Sequence, residues 1–174
     1  MTDEWHESFL RIVGRWGLGL AVLLVLILLS AVPFRIAHLG EVRPAFMLMA
    51  VYYWTILRPA PPLAVFAVGL VLDLLSAYPF GMNALVLVTA QALTGHNRKF
   101  LLGQSFLVIW AGFALVALGA GIVQWALFSL FELAFVSAKP MLISVTLSAF
   151  LFPLFVLPLA AVHKALAESP SAVP

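Results

Sequence analysis

Between Lys99 and Glu132 the chain carries no ionisable side chain: Phe100–Phe131 is thirty-two residues free of Asp, Glu, Lys, Arg and His. As a helix, such a run is about 48 Å long, more than the roughly 30 Å of a bilayer's hydrocarbon core. It has company. Trp16–Phe34, Pro44–Leu57, Pro59–Leu72 and Pro140–His163 also lack Asp, Glu, Lys and Arg, as does Leu74–Asn97, which is interrupted by Tyr78-Pro79-Phe80-Gly81. A soluble domain gives about 25% of its residues to charge; this chain gives 9%. Its outer surface must face lipid. The runs predict an all-α, polytopic membrane protein with six transmembrane helices, near 16–34, 44–57, 61–77, 82–97, 102–130 and 140–163. The second, third and fourth are short for full spans. Five spans, with a re-entrant region shielded by the longer helices, is the fallback.

No polar stretch is long enough to fold separately, so one six-helix domain over 16–164 is expected. Before it, residues 1–15 set Trp5, Phe9, Ile12 and Val13 at helical spacing, with His6, Glu7, Arg11 and Arg15 elsewhere. This is the pattern of an amphipathic segment on the inner membrane surface, as a plain anchor or as a docking site for a cytoplasmic protein. After it, residues 165–174 read as a disordered cytoplasmic tail. The basic residues fix the orientation. Arg11, Arg15, Arg58, Arg98, Lys99 and Lys164 fall on one side, against Arg35, Arg43 and Lys139 on the other. The positive-inside rule then puts both termini in the cytoplasm. The first span is longer than a signal peptide's apolar core, so it reads as retained, although Ser30-Ala31-Val32 has the small residues of a cleavage site.

Within this apolar sequence one carboxylate stands out. Asp73 sits in Gly69-Leu-Val-Leu-Asp73-Leu-Leu-Ser76, with Arg58 and Arg98 as its nearest charged neighbours along the chain. An Asp at the centre of a membrane helix costs about 2.5–3.5 kcal/mol on insertion scales. Asp73 also falls at the C-terminal, negative end of its predicted helix, where an anion is unwelcome. A partner is therefore expected. The start of the fourth helix, at Gly81 and Asn83, offers N–H groups without intrahelical partners, and Arg43 offers a countercharge. Gly69, Asp73 and Ala77, with Ser76 beside them, make a small-residue face for close packing. Ala114, Ala117, Gly121 and Gln124 repeat it in the fifth helix, and Asn83, Ala90, Gln91 and Thr94 add polar glue in the fourth.

Catalytic chemistry finds little footing. Paired-carboxylate work needs a second acid, and Glu132 lies at the far end of the long run. The four histidines, His6, His38, His96 and His163, are scattered near span ends, so no metal site is expected. There is no cysteine and no nucleotide-binding glycine loop. The reading is a non-enzyme with no cofactor and no nucleic-acid partner.

Val42-Arg43-Pro44, Tyr53-Trp54, and the Gly69…Asp73-Leu-Leu-Ser76…Phe80-Gly81-Met82-Asn83-Ala84-Leu85 stretch, in that order, resemble the bacterial rod shape-determining MreD family over about residues 33–95. That resemblance implies a non-enzymatic scaffold of the cell-elongation (rod) complex in the inner membrane. It implies an MreC-like bitopic partner and, indirectly, RodA, a class B penicillin-binding protein and MreB, in support of lateral peptidoglycan synthesis. It also implies a fold similar to the substrate-binding components of vitamin uptake transporters. Arg43, Pro44, Asp73, Ser76 and Gly81 carry the family's pattern, with structural rather than catalytic roles; Tyr53, Trp54, Gly69 and Asn83 complete the expected partner surface. The Pro-rich turn at 58–62 and the N-terminal segment depart from it. The alternative is a membrane-embedded component for small-molecule uptake. That reading predicts a closed pocket near Asp73, lined by Tyr52, Tyr53 and Trp54.

Overall fold

The structure, a computed structural model, describes residues 21–30, 34–36, 40–42, 44–57, 60–76, 79–133 and 136–167, without the side chains of 34–36, 40–42 and 158–167. Helix α1 covers Ala21–Ser30. Strands β1 (Phe34–Ile36) and β2 (Gly40–Val42) pair antiparallel with Phe34 opposite Val42. Then come α2 (Phe46–Leu57), α3 (Pro62–Ser76), α4 (Met82–His96), the single turn α5 (Arg98–Leu101), α6 (Phe106–Phe131) and α7 (Lys139–Ala167).

The six predicted helices correspond to α1–α4, α6 and α7, and the fold is that of a helical membrane protein. The differences are local. The hairpin and α5 were not foreseen. Gly103, at φ +88°, turns the chain after α5, so α6 begins at Phe106 rather than 102. Helix α7 runs on to Ala167, past the predicted end at 163. The predicted N-terminal segment (1–15), Arg43, Arg58 and the tail from 168 lie outside the described residues.

Helix α2 is central. Phe46–Tyr52, Thr55 and Ile56 are buried, and it packs against α4, α6 and α7. At its middle Phe113 of α6 stacks on Phe152 of α7, ring centroids 4.3 Å apart, and Tyr52 meets both edge-on. Helix α6, by contrast, buries only Phe113, Ala117 and Gly121 among its 26 residues. Away from that stripe Leu107, Leu115, Leu118, Ile122 and Leu130 are exposed, and an apolar surface of that kind is stable in lipid. Among the described residues two helices, α6 and α7, are long and apolar enough to cross a membrane by length and composition. Helices α2, α3 and α4 have 12, 15 and 15 residues, or about 18–22 Å of rise.

Short helices expose their ends where water is scarce, and their unpaired backbone groups must be met by protein. Other helices meet them. At the start of α2, Ser148 Oγ accepts the Ala45 N–H (2.9 Å) and Ser30 Oγ accepts the Met47 N–H (3.0 Å). At its end, Arg98 donates from Nε to the Ile56 carbonyl and from Nη2 to that of Leu57 (2.8 and 3.0 Å). A cation there also suits the negative end of the helix dipole. Inside α7, Pro153 has no N–H to offer the carbonyl four residues back, that of Ala149. Trp110 of α6 fills the gap, donating its indole N–H to Ala149 O at 2.7 Å.

Trp110→Phe keeps most of the packing but leaves that carbonyl unpaired, so it should destabilise the protein by about 1–3 kcal/mol. Adding Pro153→Ala restores an N–H within α7 and should recover much of the loss. Denaturation of the single and double variants in mild detergent checks this; equal losses in both would exclude the account.

Candidate functional site

Asp73 lies one turn beyond Gly69 on α3, and Gly69 decides how near α4 can come. A Cβ on Gly69 would fall on the Cα and N of Ala84, so the two backbones touch at a point no other residue allows. Helix α3 then ends at Ser76 and the chain turns back through Pro79 to Gly81. Gly81 adopts φ +92°, ψ −7°, a left-handed conformation that costs other L-residues roughly 1–2 kcal/mol. This turn brings the first N–H groups of α4 back over the end of α3.

The carboxylate of Asp73 closes the arrangement. Oδ2 accepts the N–H of Gly81 at 2.9 Å and Oδ1 that of Asn83 at 2.8 Å. Gly81 is the residue flanking α4, and its lack of a side chain means that it offers no cap of its own. The acid of one helix thus caps the next. Asp73 is 1% exposed, and hydrogen bonds to a charged acceptor contribute about 1.5–3 kcal/mol each. The unfavourable dipole of α3 is offset by the favourable one of α4. The sequence reading also named Arg43 as countercharge. Both carboxylate oxygens take backbone N–H groups, as expected of the helix start; Arg43 lies outside the described residues.

Beside this clasp the ends of α1, α2, α3, α4, α6 and α7 enclose a partly open cavity of about 550 Å³. Pro44, Leu72, Ser76 and Asn83 line it, whereas Asp73 is not among the lining residues. Across it Gln124 of α6 donates from Nε2 to Asn83 Oδ1 at 3.3 Å. Of the nine residues singled out from the sequence, Pro44, Gly69, Asp73, Ser76, Gly81 and Asn83 come together at this end. Tyr53 and Trp54 are half-buried on α2 and do not line the cavity. The aromatic lining expected of an uptake pocket is therefore corrected. Tyr52 is in the core, where its hydroxyl donates to Ile109 O at 2.9 Å, and the cavity's aromatics are Trp125 and Phe128. These two were missed because nothing in an uninterrupted apolar run distinguishes a lining ring from a lipid-facing one.

The description "rod shape-determining protein MreD" belongs to a family whose sequence profile matches residues 10–162. The chain belongs to the MreD family. A curated relative, uncharacterized protein RP566 of Rickettsia prowazekii (strain Madrid E), is 24% identical over 118 residues, which cover 68% of each chain. No solved structure matches. Membership makes this a membrane protein of a rod shape-determining family, one that is part of the MreBCD shape complex and is not known for enzymes.

Asp73→Asn keeps one acceptor oxygen and sets an NH2 group against an N–H, whereas Asp73→Ala leaves both N–H groups unmet. Thermal unfolding in detergent should therefore rank wild type above Asn and Asn above Ala, with the Ala variant down by about 2–5 kcal/mol. An unchanged midpoint in the Ala variant would refute the clasp.

Proposed function

We propose that the protein is a non-enzymatic scaffold of the rod complex in the bacterial inner membrane, crossing it six times with both termini in the cytoplasm. It binds an MreC-like bitopic protein and through it supports RodA, a class B penicillin-binding protein and MreB in lateral peptidoglycan synthesis. The observation that carries this reading is the family match over 10–162, joined to the use the fold makes of its buried acid. Asp73 is spent on holding two helices together, which is the work of a shape-bearing residue. In the proposed orientation the clasp and the cavity mouth face the periplasm. The surface formed there by Pro44, Ser76, Gly81 and Asn83 is the one offered to the partner.

A second reading, a substrate-binding component for small-molecule uptake, is favoured by the 550 Å³ cavity among the helix ends. The two differ in what comes out of the membrane with the protein. A scaffold brings an MreC-like protein; an uptake component brings an ATPase.

In a rod-shaped bacterium depleted of its own MreD-family protein, the wild-type chain should restore rod shape and copurify with the MreC-like partner. Asp73→Ala should give round cells and lose most of the partner at equal membrane abundance. Full partner recovery with Asp73→Ala, or an ATPase recovered in its place, would overturn the scaffold reading.

A further inference from the structure

The cavity's polar groups are unevenly used, and the unused ones point to a ligand. Ser30 and Ser148 are committed to the start of α2, and Trp125 donates its indole N–H to Val136 O at 2.9 Å. Ser137 Oγ accepts the Lys139 N–H at 3.4 Å. The Asn83–Gln124 pair is different. Its one hydrogen bond occupies half of each amide, and a side-chain amide has two donors and a two-lone-pair acceptor to place. Asn83 Nδ2 and Gln124 Oε1 make no hydrogen bond among the described residues. A donor and an acceptor with no partner among the described residues thus stand on adjoining walls of one cavity.

We propose that this cavity binds an uncharged amphiphile whose hydroxyl or amide group is held between Asn83 Nδ2 and Gln124 Oε1. A hydroxyl or an amide edge both gives and accepts a hydrogen bond, which matches the pair. No Asp, Glu, Lys, Arg or His is among the described residues that line the cavity, so an ionised ligand would be desolvated without a countercharge. Much of the remaining wall, including Met47, Leu48, Val86, Leu87, Ala117 and Phe128, is apolar and suits an aliphatic or ring-bearing body. A volume of about 550 Å³ falls in the range of small-molecule sites. Such a ligand comes either from the bilayer, as an uncharged glycerolipid, or from solution, as an uncharged polar metabolite. The inference rests on the cavity and the amide pair and is independent of the scaffold role.

The test uses the full chain in phosphatidylcholine nanodiscs with a diazirine-bearing diacylglycerol as probe, with labelled peptides mapped by mass spectrometry. Labelling should concentrate in Met82–Leu87 and Ala117–Phe128 and fall roughly fivefold in Gln124→Leu and in Asn83→Leu, the effect of one lost hydrogen bond. Unlabelled diacylglycerol as the effective competitor assigns a bilayer source, and uridine, an uncharged hydroxyl- and amide-bearing solute, assigns a soluble one; either supports the site. Thermal midpoints identify a variant that does not fold, and the wild-type peptide map and competition then decide. Equal competition by anionic phosphatidylglycerol overturns the proposal. So does labelling spread evenly over the outward faces of α6 and α7, or unchanged labelling in both folded variants. Crosslinking of these peptides to a copurifying polypeptide in place of the probe overturns it as well. Partner recovery is read separately, so a failed site leaves the scaffold reading standing.

Discussion

Backbone groups at the end of a helix need partners, and in a bilayer water does not provide them. That constraint orders this fold. A helix as long as the hydrocarbon core is thick delivers its ends to the interface; helices of 12 and 15 residues leave theirs nearer the apolar region. Both ends of α2 and the start of α4 are finished by side chains from other helices: α2 by Ser30, Ser148 and Arg98, and α4 by Asp73. The same logic reaches the middle of α7, where Trp110 completes the turn that Pro153 opens. These bonds also fix geometry. Apolar contacts between membrane helices are replaceable by lipid, but a directed hydrogen bond into a dry site has few substitutes.

The sequence was legible where a residue broke the apolar rule. Asp73 announced a partner because an isolated acid in lipid needs one, and Gly81 and Asn83 marked the helix start that supplies it. Gly69 marked a close approach, and Ala84 is what it approaches. The helices themselves were readable because the charges fall between them. What stayed hidden were partners that look ordinary in one dimension. Arg98 reads as a basic residue at a membrane edge, yet it reaches carbonyls forty-two and forty-one residues earlier in the chain. Trp110 reads as one more ring in an apolar run. Ser148 and Ser30 carry no sign that their hydroxyls belong to the start of α2. The helix start delivers positive potential to Asp73 without a formal charge, and Arg43, the countercharge expected beside it, lies outside the described residues.

For a protein whose work is proposed to be holding others in place, this pattern is informative. Several of its polar contacts lie at helix ends and join separate segments: α2 to α1, α5 and α7, and α3 to α4. The central aromatic cluster of Tyr52, Phe113 and Phe152 secures the middle of the bundle. The ends are held by polar atoms, and the end bearing Asp73 is also the one where six helices leave a cavity.

The two hydrogen bonds of Asp73 span eight and ten residues of chain. Closing so short a loop costs little conformational entropy, and it draws on no segment other than α3, the turn and the first residues of α4. The acid's two hydrogen bonds are therefore completed within a local hairpin. The pairing of α3 with α4 thus needs no contact from α6 or α7 to satisfy the one acid of α3.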